Sequence, residues 1–178
     1  MVKKFIQLSI AALFTLASAA HADVAPSGAA LTFGGHQYTL LTSDTWANSE
    51  AYATQHHGHL VAINSAAENT FLNTSFGGKL LWIGLARTGA DTFGWSNGDA
   101  LTYTNWAAGE PNNWQGNENV VHTYASGQWN DLADGSGMFG AKYGVMEVSA
   151  VPEANEYAML IAGLGLLGVF ARRRKAGK

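Results

Sequence analysis

The chain contains no cysteine in 178 residues, and charged side chains make up only 13% of it. Without cysteine no disulfide can hold the fold together. Scarce charge beside a 47% hydrophobic content excludes a disordered polar chain. Positive charge is scarcer still in the middle: between residues 23 and 151 stand only Lys79, Arg87 and Lys142, against eleven Asp and Glu. A segment that acidic repels phosphate backbones, so nucleic acid is excluded as a partner, and a cation suits it instead. No internal repeat, no Ser-His-Asp arrangement and no phosphate-binding glycine loop is visible.

Most of the positive charge lies at the two ends, where it accompanies processing signals. Lys3 and Lys4 precede an apolar run from Phe5 to Ala17 and the small-x-small triplet Ala20-His21-Ala22. That order predicts a secretory signal peptide over residues 1–22. At the other end an uncharged run, residues 157–171, is followed by Arg172, Arg173, Arg174 and Lys175. Fifteen residues reach roughly 22 Å as a helix, short for a permanent span of about 30 Å. The cationic cluster would keep the C-terminal end in the cytoplasm. Residues 150–178, with Val151-Pro152-Glu153-Ala154 at their head, resemble the PEP-CTERM sorting segment of Gram-negative bacteria, although Ala154 stands where that motif has a second proline. The resemblance implies a transient membrane segment, processing by exosortase, and a final place outside the cell or on its surface.

The remainder is long enough to bury a core. Small polar residues 23–29 read as a tether to a single domain over 30–149. Gln37 to Leu41 reads as a strand. Thr45 precedes a helical stripe from Trp46 to His57, closed by Gly58. Leu60 to Ile63 is extended, and Ser65-Ala66-Ala67-Glu68 forms a capping box for a second helix ended by Gly77-Gly78. Leu80 to Leu85 reads as a buried strand. From Gly89 to Asn119 the chain is dense in Gly, Asn, Asp and Trp and keeps no regular period, which predicts a long structured loop. Val120 to Tyr124, Gln128 to Asp131 and Tyr143 to Val148 read as closing strands. Helices first and strands after them predict an α+β fold.

Four patterns stand out: Trp82-Ile83-Gly84-Leu85, Thr104-Asn105-Trp106, Glu110-Pro111-Asn112 and Trp129-Asn130-Asp131. Glu118 follows Glu110 by eight residues and precedes Asn130 by twelve. Glu110, Glu118 and Asp131 offer three charged oxygen donors, and Asn112 and Asn130 offer neutral ones. Calcium takes six to eight such oxygens at about 2.3–2.6 Å. The motifs and their spacing together resemble the mannose-binding branch of the C-type lectins, over nearly the whole mature domain. The resemblance implies two helices packed on small antiparallel sheets, with a long calcium-binding loop and a cis peptide bond before Pro111. It implies one calcium ion held by Glu110, Asn112, Glu118, Asn130 and Asp131, with the Asp131 carbonyl as a further ligand and two sugar hydroxyls completing the shell. Carboxylates only accept hydrogen bonds, and an amide donates once its oxygen faces the metal. Glu110, Asn112, Glu118 and Asn130 would then read the sugar as well, and the resemblance implies mannose, fucose or N-acetylglucosamine. Trp114 either offers a flat face to the sugar ring or packs within the loop.

The chain also departs from the family. Where members hold a second calcium, this sequence has Asn113, Asn119 and the segment around Arg87, which implies a single ion. The two family disulfides are missing, with Ala53 and Met146 at one pair of positions and Val120 and about Asp134 at the other. Removing a native bridge from a small secreted domain typically costs about 2–5 kcal/mol. His56, His57 and His59 suggest either zinc or a helix C-terminus that favours histidine. Three functions follow as expectations. The first is a calcium-dependent module binding a glycan or the cell's own exopolysaccharide. The second is an interaction protein in which calcium is only structural. The third, a glycosidase using Glu110 and Asp131, is disfavoured because carboxylates on a cation are ionised, so the chain reads as no enzyme.

Overall fold

The computed structural model describes residues 23–135 and 140–149. The chain forms β1 (Leu31–Phe33), β2 (His36–Asp44), α1 (Trp46–Gln55), β3 (His59–Leu60) and α2 (Ala66–Ser75). There follow β4 (Leu81–Gly89), β5 (Thr92–Trp95), a short 3-10 turn (Trp114–Gly116), β6 (Val120–Thr123), β7 (Trp129–Leu132) and β8 (Lys142–Ser149). The α+β architecture with two helices is the expected one. The strands, expected as small antiparallel sheets, instead join into one mixed sheet in the order β1-β2-β8-β4-β6-β7, with β3 on β8 and β5 on β4. The joint is β8, which enters between β2 and β4 and runs parallel to β4 at Leu81 and Trp82.

Local chemistry sets the helix ends. Thr45 caps α1, its side chain accepting from the Asn48 amide. Asp134, distant in sequence, accepts from the Trp46 and Ala47 amides at 2.8 and 3.1 Å, which puts a carboxylate at the positive end of the helix. The helix stops at Gln55, two residues short of the expected end, because His57 turns to a positive φ of 62°. Gly58 follows it, where an added methyl would strike the Glu147 carbonyl of β8. In α2 the Ser65 oxygen accepts from Glu68 as the capping box predicts, but the glutamate reaches one residue further back, to the Asn64 amide. Its other oxygen accepts from the Tyr38 hydroxyl at 2.7 Å, tying α2 to β2.

Packing takes over the work of the missing bridges. Ala53 and Met146 are both buried and share a cluster with Leu41, so that pair of positions is filled by apolar contact. Val120 packs with Leu60, Trp82 and Leu132, while Asp134 is the α1 cap already described. The segment 23–29, expected as a tether, lies along β2: Ser27 donates to the Leu40 carbonyl and Thr42 donates to that of Ala25. No helix among the described residues is long and apolar enough to cross a membrane. The expected signal peptide, the run 157–171 and the sorting segment lie outside the described residues.

Candidate functional site

The long loop between β5 and β6 is held from beneath by Trp129. The Trp129 ring is buried, with Trp95, Tyr103 and Trp106 edge-on to it at 5.7, 5.7 and 5.8 Å. Its amide donates to the Asn105 carbonyl, its carbonyl accepts from Ala107, and Asn105 Nδ2 donates to Gly127. Thr104-Asn105-Trp106 therefore anchors the loop. Beyond it the Glu110–Pro111 peptide bond is cis, and Asn113 and Gln115 take positive φ values of 48° and 56°.

Glu110, Asn112, Glu118 and Asn130 all line one cavity of about 640 Å³, together with Leu80, Trp114, His122, Tyr124, Leu132 and Lys142. Trp114 is the most exposed large apolar side chain there, at 53%; Leu80 and Tyr124 are exposed as well. Asp131 is placed differently. It is fully buried under the loop and does not line the cavity. Oδ1 accepts from the Asn112 amide at 3.0 Å, and Oδ2 accepts from the Asn113 amide at 3.1 Å and from Arg87 Nη2 at 2.6 Å. Glu118 repeats the pattern on the next residue, accepting from the Trp114 amide at 2.7 Å. Three consecutive backbone N–H groups of the loop thus end on carboxylates, the Asn112 amide being shared between Asp131 and Glu110 Oε2 at 3.1 Å.

Sequence reasoning missed His122, whose role shows only in three dimensions. His122 Nδ1 lies 2.9 Å from the Thr123 carbonyl, which requires the proton on Nδ1 and leaves Nε2 as an acceptor. Asn130 Nδ2 sits 3.2 Å from that Nε2 and 2.6 Å from the Asp131 carbonyl. Both amide hydrogens therefore point inward, which leaves the Asn130 carbonyl oxygen for the cavity. Burial pushes the His122 ring down to about 4, so it is neutral and keeps this acceptor role. The Asp131 carbonyl, expected as a metal ligand, here accepts from Asn130.

The electrostatics are those of crowded carboxylates. Burial raises the Glu110 carboxyl above its ordinary range, and the neighbouring Asp131 charge raises it further. Glu118 is also raised, chiefly by burial. Among the described residues no three His, Cys, Asp or Glu side chains form a ready-made metal cluster, so a cation here would take carboxylate and amide oxygens together. Those donors, all hard oxygens with two raised glutamates among them, fit calcium and not a thiolate- or imidazole-seeking metal. Two of the three histidines near α1 have partners of their own: His56 bonds to Tyr52 and stacks on its ring, and His59 pairs with Glu50 at 2.8 Å.

The lectin C-type domain profile matches residues 42–137. The chain belongs to this family. A PEP-CTERM protein-sorting motif matches residues 150–175. E-selectin of Sus scrofa is 40% identical over 109 residues, which is 55% of this chain and 22% of that protein. Lectin BRA-3 of Megabalanus rosa is 35% identical over 105 residues, 56% of this chain and 65% of its own length. The chain thus spans less than two thirds of these relatives. The carbohydrate-recognition domain of cow CD23, solved in the presence of a GlcNAc2Man3 oligosaccharide, superposes with a TM-score of 0.61 at 28% identity, covering 69% of this chain and 95% of that one. The C-type lectin domain here thus places four of its five expected ligand residues on one cavity and the fifth, Asp131, beneath it.

Proposed function

We propose that this chain is an exported, non-catalytic C-type lectin that binds one calcium ion and, through it, mannose-, fucose- or N-acetylglucosamine-type sugars. The observation that carries the reading is the convergence of Glu110, Asn112, Glu118 and Asn130 on the cavity beside exposed Trp114. Glu110 and Glu118 supply charged oxygens and accept from sugar hydroxyls. Asn112 supplies an oxygen and donates from its amide. Asn130, both of whose hydrogens face inward, contributes its carbonyl oxygen. Asp131 adds its charge from below, close enough to Glu110 for the two carboxyls to share a hydrogen bond. Bound calcium would supply Lewis-acid contact to two adjacent hydroxyls. Trp114 offers the ring a flat apolar face. In this reading residues 1–22 are removed on export, the segment 157–171 crosses the membrane transiently, and exosortase processing at the sorting segment releases the 30–149 domain or fixes it at the cell surface. Exopolysaccharide or a neighbouring cell's glycan is then the partner, and weak single sites gain avidity from many copies.

Thermal melting of the full chain against calcium tests the ion. Ligand at about 100 times its dissociation constant adds roughly 2.7 kcal/mol, which raises the melting point by about 5–15 °C for a domain of this size. The rise should saturate, and Glu110→Gln/Asn130→Ala should abolish it. Competition by free mannose then tests the sugar. A calcium effect without sugar competition would favour an interaction protein in which calcium is structural.

A further inference from the structure

Arg87 stands at the end of β4, beside the site and outside its cavity. Its guanidinium makes three bonds in three directions: Nη2 to Asp131 Oδ2 at 2.6 Å, Nε to the Glu118 carbonyl at 2.8 Å, and Nη1 to the Ala90 carbonyl at 2.6 Å. The side chain is nearly buried, with Phe93 packed on its face at 4.5 Å. Its partners are the keystones of the loop. Asp131 receives the Asn112 and Asn113 amides, and Glu118 receives that of Trp114. A carboxylate as buried as Asp131 is costly to keep charged without a cation. Among the described residues the structure pairs it with Arg87.

We propose that Arg87 is the resident cation of this loop, holding residues 112–114 in their ligand-presenting conformation whether or not calcium is bound. The fixed fork of a guanidinium can bind a side-chain oxygen and two carbonyls at once, which a lysine ammonium on a flexible stem cannot. Arg87 touches neither sugar nor metal in this scheme; it is a positioning residue. Substituting it has two opposed effects on calcium affinity, because the site loses its order but also loses a nearby positive charge. Loop order in chelator is therefore the decisive quantity. The inference rests on the proposed calcium site only for its biological meaning, not for its test.

Hydrogen exchange of the full chain in EDTA reads it directly. In the wild type the Asn112, Asn113 and Trp114 amides should be protected with and without calcium. In Arg87→Ala they should exchange at least about tenfold faster in EDTA, the scale of losing one charged hydrogen bond. Core amides such as Ile83 and Val121 should stay as they are, and added calcium should restore the loop. Arg87→Lys should recover Asn112 and Asn113, which follow the Asp131 charge, more than Trp114, which follows Glu118. Unchanged loop exchange in Arg87→Ala, or an equal rise through loop and core, would overturn the proposal. Faster exchange that calcium fails to reverse would leave Arg87 in this role and count against the calcium site.

Discussion

Asp131→Asn should destabilise the domain even where no calcium is present. The carboxylate is fully buried and accepts from two backbone amides and the Arg87 guanidinium at 3.0, 3.1 and 2.6 Å. Asparagine keeps the shape but turns an NH₂ toward a position where donors already converge, and it leaves the guanidinium without its counter-charge. Breaking one side of such a buried pair costs about 3–5 kcal/mol. At roughly 3–5 °C per kcal/mol for a domain of this size, the melting point in EDTA should fall by about 10–25 °C. Glu110→Gln, measured the same way, should stay within about 1 kcal/mol of wild type, because Glu110 is only partly buried and faces a like charge. Arg87→Ala/Asp131→Asn should lose less than the sum of its single variants, since the two residues share one interaction. A small effect of Asp131→Asn in EDTA, or strict additivity in the pair, would refute the view of Asp131 as a support beneath the site.

Two further outcomes follow from the same geometry. His122 is held near 4, below its ordinary value of about 6.5, chiefly by burial. Its contribution is complete above pH 6.5 and is lost as pH falls through 4, about 3 kcal/mol in all; urea midpoints in EDTA should fall over that window, and more steeply than those of His122→Gln. Trp114→Ala should weaken sugar binding about 2- to 10-fold, the usual scale of a stacked aromatic contact, while leaving the melting point in place; a lower melting point with unchanged sugar affinity would mark Trp114 as loop packing.

Much of this was legible in the sequence because the patterns were local. Ser65 and Glu68 lie within one helical turn, so the cap could be read directly, as could the Glu110-Pro111-Asn112 turn. The spacing of Glu110, Glu118 and Asn130 gathered four residues that do line one cavity. What escaped depended on contacts between distant segments. Asp134 caps a helix that begins 88 residues earlier, and Glu68 is diverted to Asn64 and Tyr38 by its place beside β2. Asp131 belongs to a ligand motif by sequence, yet its environment is set by Arg87, 44 residues away. His122 and Tyr124 read as ordinary strand residues, since nothing local marks which face of β6 would border the loop. The single mixed sheet was equally invisible, because β4 and β8 meet only after the whole chain has turned back.

Strand β8 carries a mechanical consequence. Its first residue, Lys142, borders the cavity, and its last, Ser149, pairs with His36 at the other end, about 23 Å away at the usual rise per residue. If the sorting segment fixes the chain to a surface, the binding face points outward and the anchor pulls from the opposite end. Tension between a captured glycan and the cell then runs along β8, parallel to its neighbours. The bonds from β8 to β2 span seven residue pairs, and a load along the strand strains them together instead of peeling them apart one by one. A domain with no disulfide thus meets traction with its longest sheet contact.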